Sequence, residues 1–207
     1  MKDMKARLHT GELYLPEGEE ILQEQQKYQD LLCKYNKTKP SQWKKRAKLL
    51  KKMLADCGEG VYIEAPFYAN FGGHHCHFGH HVYANYNLTC VDDTHIYIGN
   101  DTMIGPNVTI ATAGHPILPE LRRKGLQFNM PIHIGQNCWI GAGVIILPGI
   151  TIGNNVVIGA GSIVTKDLPD DVVAVGNPCK ILRKINEHDR EYYYKDKRIY
   201  LEEWEDE

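Results

Sequence analysis

His115 lies in the stretch Thr112-Ala113-Gly114-His115-Pro116, next to two residues that bend a chain. An imidazole is largely neutral near pH 7 and can accept a proton there, which suits a general base. A lone histidine can equally fill a turn, so its chemistry depends on what surrounds it. A second constellation, His74-His75-Cys76-His77-Phe78-Gly79-His80-His81, gathers imidazoles and a thiol. These are good zinc ligands, but adjacent strand residues point to opposite faces. Surface and loop histidines, with no metal, are the expectation. Lys44, Lys45, Arg46, Lys48, Lys51 and Lys52 form a basic run that at helical spacing reads as a solvated face. Cys33, Cys57, Cys76, Cys90, Cys138 and Cys179 lie at least 14 residues apart without a CxxC pair, so reduced thiols are expected. Spacing does not decide whether Cys76 or Cys138 is reactive. No P-loop and no GxGxxG opening a helix competes for a nucleotide.

The chain that must position these groups has 207 residues, with 24 Lys plus Arg against 26 Asp plus Glu, a formal charge of −2. That is the length of one domain with appendages. With 43% hydrophobic and 24% charged residues it can build a proper core, and global disorder is excluded. The near-neutral balance removes the electrostatic footprint of a sequence-independent nucleic-acid or anionic-membrane binder. The first residues lack an apolar signal region, and no window approaches the ~20 apolar residues of a spanning helix. A cytoplasmic protein is expected.

Residues 1–57 are polar and helix-prone. Ile21, Leu22, Tyr28, Leu31, Leu32 and Tyr35 recur near helical spacing, as do Trp43, Ala47, Leu50, Met53 and Leu54 after Pro40 and Ser41. Residues 58–180 carry an internal repeat. Aliphatic residues stand every six positions at Ile134, Ile140, Ile146, Ile152, Ile158 and Val164, with Gly135, Gly141, Gly153 and Gly159 immediately after; Ile98, Ile104 and Ile110 keep the same period upstream. A period of six fits neither 3.6 nor 2. It fits a coil in which each hexapeptide lays one flat face, its aliphatic residue aimed at the axis, with Gly, Asn and Asp at corners needing tight turns or positive φ. Three faces give an 18-residue rung, and stacked rungs bury an aliphatic column. Residues 116–131 lack the repeat and read as a loop extruded from the coil. Gly79 to Gly99 is 20 residues, not a multiple of six, so the phase slips between them. Residues 181–207 read as a cap and tail covering exposed strand edges.

The hexapeptide array occurs together with Tyr83-Ala84-Asn85, Val91-Asp92-Asp93, Gly114-His115-Pro116, Asn137-Cys138-Trp139-Ile140-Gly141, Pro148-Gly149-Ile150-Thr151-Ile152-Gly153 and Gly159-Ala160-Gly161-Ser162-Ile163-Val164-Thr165-Lys166-Asp167. This ordered set, from Gly11-Glu12-Leu13-Tyr14 to Gly176-Asn177-Pro178-Cys179, looks like the maltose/galactoside O-acetyltransferases. The resemblance implies a mainly β fold, a left-handed parallel β-helix with N-terminal α-helices, an extruded loop and a C-terminal cap. It also implies a homotrimer with active sites between subunits. The implied reaction moves acetyl directly from acetyl-CoA to a hydroxyl of a sugar or sugar-containing acceptor, with no metal required. His115 would be the base and the backbone N–H of Ala142 the oxyanion donor. Asn85 and Asp93 match acceptor contacts, although either could be a corner residue of the coil, and Asn70 matches a third with blurred register. Ala160, Thr165, Lys166, Lys180 and Arg183 match CoA contacts, with the cations suited to its phosphates.

Two positions depart from the resemblance. Many members carry an arginine where this chain has Gln25-Gln26-Lys27, and an acidic residue where Gln127 stands, so acceptor preference is open. Two other functions share the coil. A γ-class carbonic anhydrase-like zinc enzyme would need His81, His115 and a third histidine, and a non-catalytic hexapeptide scaffold would need none of these residues.

Overall fold

The computed structural model describes residues 4–200. Very short strands stack in parallel on three faces of a coil. The first face holds Asp56–Cys57, Cys76–Phe78, Ile96–Ile98, Ile132–Ile134 and Thr151–Ile152. The second holds Tyr62–Ile63, Tyr83–Ala84, Met103–Ile104, Trp139–Ile140, Val157–Ile158 and Val172–Val175, and the third Tyr68–Ala69, Thr89–Val91, Thr109–Ala111, Ile145–Ile146 and Ile163–Val164. These make five complete coils, and Val172–Val175 opens a sixth. The repeat positions are the inward ones: Ile98 pairs Ile134 and Ile134 pairs Ile152 on the first face, Ile104 pairs Ile140 and Ile140 pairs Ile158 on the second, and Ile110 pairs Ile146 and Ile146 pairs Val164 on the third. All are buried. Each such side chain contributes roughly 1.5–3 kcal/mol relative to an exposed one.

The corners explain the rest of the repeat. Positive φ falls on Asp101, Asn137, Asn155 and Asp171, which succeed one another at one corner, and on Asn87 and Asn107 at the next. Asn and Asp tolerate this region better than other side-chain-bearing residues. Their amides also form ladders, Asn137 Nδ2 donating to Asn155 Oδ1 at 3.0 Å and Asn155 Nδ2 to Asp171 Oδ1 at 2.8 Å. The glycine after each first-face aliphatic residue has a different cause. A Cβ on Gly135 would stand 2.5 Å from the carbonyl oxygen of Gly153 in the next coil, so close backbone approach, not positive φ, requires it.

Two helices close the open end. Helix α1 (Glu19–Asn36) buries Ile21, Leu32 and Tyr35, and α2 (Trp43–Met53) buries Leu50 and Met53. Leu32, Tyr35, Leu50, Met53 and Leu54 join one continuous core with Ile63 and Phe67 of the first coil. Two expectations, the apolar stripes of the helices and the solvated basic run, are corrected here. Leu22, Trp43 and Ala47 face solvent. Arg46, read as part of a solvated face, is buried, because its guanidinium finds Thr38 Oγ1 at 2.9 Å and Tyr62 Oη at 2.9 Å. The stripe of α2 that meets the coil is therefore Arg46, Leu50 and Met53. At the other end Lys180–Lys184 pairs antiparallel with Val172–Val175, followed by a hairpin of Tyr192–Tyr194 and Lys197–Arg198. The last seven residues of the expected tail, 201–207, lie outside the described residues.

Candidate active site

Two corners of the coil keep the six-residue step in every turn, and the third does not. From third face to first, the step between inward residues is nine residues after Ala69 (to Phe78), eight after Cys90 (to Ile98) and 24 after Ile110 (to Ile134), before returning to six between Ile146 and Ile152. The phase slip between Gly79 and Gly99 is therefore located, at Val91–His95. The three irregular segments, 70–75, 92–95 and 112–131, stack on one corner, and the candidate residues Asn70, Asp93 and His115 sit one in each.

The 112–131 excursion is held at its base by pairing of Ala113–Gly114 with Phe128–Asn129 and carries a short helix, α3 (Pro119–Arg123). His115 follows the first base strand, exposed, with Nδ1 2.9 Å from the carbonyl oxygen of Leu126. A carbonyl only accepts, so Nδ1 carries the proton and Nε2 keeps the lone pair. This fixes the tautomer of a base.

Behind it lies a buried polar network. Asp93 Oδ2 accepts from Asn70 Nδ2 at 2.8 Å and Oδ1 accepts from Gln127 Nε2 at 2.9 Å. Gln127 also reaches the Tyr14 hydroxyl at 2.6 Å, and Asn129 Nδ2 donates to that hydroxyl at 2.9 Å and to the Leu8 carbonyl at 3.0 Å. Burial pushes the Tyr14 phenol up to about 12. Asp92 accepts from Phe71 N at 2.7 Å and Gly73 N at 3.0 Å, pinning the 70–75 segment. Tyr14, Asp92 and Asn129 were missing from the sequence-derived site. Tyr14 stood in a quoted motif; Asn129 carried no signal, since its role comes from loop folding. Gln127 is the donor that Asp93 uses, where an acidic side chain would oppose its charge.

The remaining candidates occupy other parts of the coil. Asn85, Ala142 and Ala160 lie on the corner between second and third faces, a full face away from the His115 corner, so a single chain does not unite them with His115. At that corner Tyr86, Pro106, Ala142 and Ala160 succeed one another. The Tyr86 N–H is taken by Asn85 Oδ1 at 2.7 Å, and proline has none. The Ala142 and Ala160 N–H groups have no acceptor among the described residues, and both residues are exposed, one coil apart. Thr165 and Lys166 follow Val164 and are exposed, as is Lys180. Arg183 is also on the surface, but it spends its fork on Asp189, Nη1 to Oδ2 at 2.6 Å and Nη2 to Oδ1 at 2.7 Å, which holds the Asp189 carboxyl down at about 2.

Residues 131–166 match the bacterial transferase hexapeptide (six repeats), and residues 7–58 the maltose acetyltransferase hexapeptide capping motif. The chain is 54% identical over 198 residues to a galactoside O-acetyltransferase of Lactococcus lactis, covering 96% of each chain. The chain belongs to the maltose/galactoside O-acetyltransferase family. It is also 45% identical to a galactoside O-acetyltransferase of Escherichia coli, over 95% of this chain and 96% of that one. A solved galactoside acetyltransferase in complex with coenzyme A superposes with a TM-score of 0.93 at 44% identity, covering 97% of this chain and all of that one.

Within this acetyltransferase framework the two histidines that the zinc-enzyme alternative needs fall in no group of three ligating side chains among the described residues. His81 is exposed beside Asp101 at 3.4 Å, and His115 has only the Leu126 carbonyl. The 74–81 histidines are nonetheless not all scattered. Residues 71–75 form turns, not strand, so His74 and His75 escape the alternation that would part them.

Proposed function

We propose that the chain transfers acetyl from acetyl-CoA to a hydroxyl of a sugar or sugar-containing acceptor, with His115 as base and the working site shared between copies in a homotrimer. The observation that carries the reading is the Nδ1–H of His115 held on the Leu126 carbonyl, which presents a basic Nε2 to solvent. Nε2 removes the hydroxyl proton as the oxygen bonds to the thioester carbon. The Ala142 N–H, free of internal partners, meets the oxyanion, and such a donor is typically worth about 10²–10³ in rate. As the C–S bond breaks, the imidazolium returns the proton to the leaving thiolate. Asp93, fixed by Asn70 and Gln127, and Asn85 contact acceptor hydroxyls; Ala160, Thr165, Lys166 and Lys180 line the CoA groove. Arg183 reaches a phosphate by exchanging Asp189 for it.

The division of these residues between two corners supports the homotrimer, because a neighbouring copy brings one chain's Asn85 and Ala142 to another's His115. Met103 and Trp139, register partners on the outer second face, are 53% and 56% exposed, an apolar surface suited to burial by that copy. Among the described residues no helix is long and apolar enough to cross a membrane.

The test is free-thiol release from acetyl-CoA by the chelator-treated protein, with and without glucosides, galactosides, maltose and aminosugars. Acceptor-dependent release, absent in His115→Ala although CoA still binds, is expected. Release that survives in the variant overturns the role of His115, and a protein that binds no CoA overturns the reading as a whole.

A further inference from the structure

We propose that Glu24, His74 and His75 form a binding site for a zinc-type divalent cation, which staples helix α1 to the coil. The ligand atoms of these three side chains lie within 4.8 Å of one another, although Glu24 and His74 are 50 positions apart in the chain. Two imidazoles and one carboxylate with a fourth place for water is a donor set that zinc accepts tetrahedrally. His75 is already in the form a cation requires. His75 Nδ1 donates to the Asp92 carbonyl at 2.7 Å, which commits Nε2 to the lone pair, the arrangement that supporting hydrogen bonds give to metal-bound histidines. His74 stacks on Tyr28 of α1 at 3.7 Å between ring centroids, and its Nε2 stands 3.3 Å from Glu24 Oε1. Burial lowers the proton affinity of both imidazoles, and Lys5 and the histidines hold Glu24 below its ordinary range against the opposing effect of burial. Neutral imidazoles and an ionised carboxylate take a cation with no net loss of protons, His74 shifting its ring proton from the Nε2 that faces Glu24 to Nδ1.

None of the three side chains is among those assigned to acetyl transfer, so the cation serves structure. Glu24 belongs to the capping helix and the histidines to the 70–75 segment, whose Asn70 holds Asp93. A bound cation locks the cap against the irregular corner. Lys5 is the internal competitor, its Nζ 3.0 Å from Glu24 Oε2.

The experiment is calorimetric titration of the metal-stripped full chain with ZnCl₂, with MgCl₂ as the control, in the parent protein and in Glu24→Gln, His74→Gln and Lys5→Ala. The expected result is one zinc per chain and no magnesium uptake. Glu24→Gln and His74→Gln should weaken zinc by at least the roughly 10- to 100-fold that losing even a ligand's supporting partner costs. Lys5→Ala should tighten it, a gain that misfolding cannot imitate. Absence of zinc uptake overturns the proposal, as does uptake unchanged in both Glu24→Gln and His74→Gln, which would put the cation on other histidines such as His77 and His95, 2.9 Å apart. None of these readings depends on acetyl transfer.

Discussion

The two regular corners of the coil and the irregular one are made from the same chain by opposite means. At the regular corners every turn takes six residues, and polar groups bond to their counterparts one coil away, as along Asn137, Asn155 and Asp171. At the irregular corner three successive turns carry extra residues, and these bond to one another and to the N-terminal segment through Tyr14, Leu8, Asn70, Asp93 and Gln127. Repetition yields stability and, where a coil amide lacks a partner among the described residues, fixed backbone donors such as Ala142 and Ala160. Insertion yields side chains that need no coil neighbour and can face a substrate, and this is where His115 and Asp93 stand.

If that comparison holds, changes at the irregular corner should act first on catalysis, and changes to the close-approach glycines and amide ladders of the regular ones on stability. The largest effect is expected for His115→Ala. Its histidine is exposed and supports no core, so kcat should fall by about 10²–10⁴ with the unfolding midpoint unchanged. A fall in stability equal to that in rate would break the comparison. Next is Gly135→Ala, with the opposite signature. The added Cβ meets backbone that cannot rotate away, so a loss near the upper end of the overpacking range, about 3 kcal/mol, is expected in chemical denaturation.

Tyr14→Phe probes the seam between the two regimes. Removing the hydroxyl deletes two buried hydrogen bonds, from Gln127 and from Asn129, at about 0.5–1.5 kcal/mol each. Its pH signature follows from the raised phenol. A folded-state value of about 12 against 10 means that the folded chain keeps a proton the unfolded chain gives up, so stability is full below pH 10 and is lost as pH rises through 12. In the variant the decline between pH 10 and 12 should be shallower. An unaltered slope would assign alkaline unfolding to Tyr35, whose buried phenol is raised in the same direction.

What the sequence made legible follows the same division. The inward columns, the extruded segment and the phase slip could be read because a step of six is visible in the order of residues alone. The irregular corner was legible only in outline. His115 and Asp93 were found through motifs, but the bonds from Gln127 to Asp93 and from Asn129 to Leu8 join residues 34 and 121 positions apart, and no local pattern encodes them. Arg46 was misread because helical charge spacing cannot reveal that Thr38 and Tyr62 converge on a buried guanidinium. His74 and His75 were treated as strand residues because the turn that unites them lies inside an insertion.

The smallest predicted effect is also the sharpest test of why the regular corners are regular. Asn155 has φ of 56° and takes part in two rungs of the amide ladder. Asn155→Ala removes the ladder and also sets a Cβ-bearing residue without a local hydrogen bond in the left-handed region, which costs roughly 1–2 kcal/mol. Asn155→Gly removes the ladder alone and frees the backbone, so its loss should stay below about 1 kcal/mol. If denaturation gives the alanine variant the larger loss, backbone conformation selects Asn at these corners and the ladder is secondary. Equal losses would reverse that order and make side-chain bonding between coils the cause of the repeat, which would also require Asn137→Ala and Asn155→Ala together to cost less than the sum of the two, because both contribute to one shared rung.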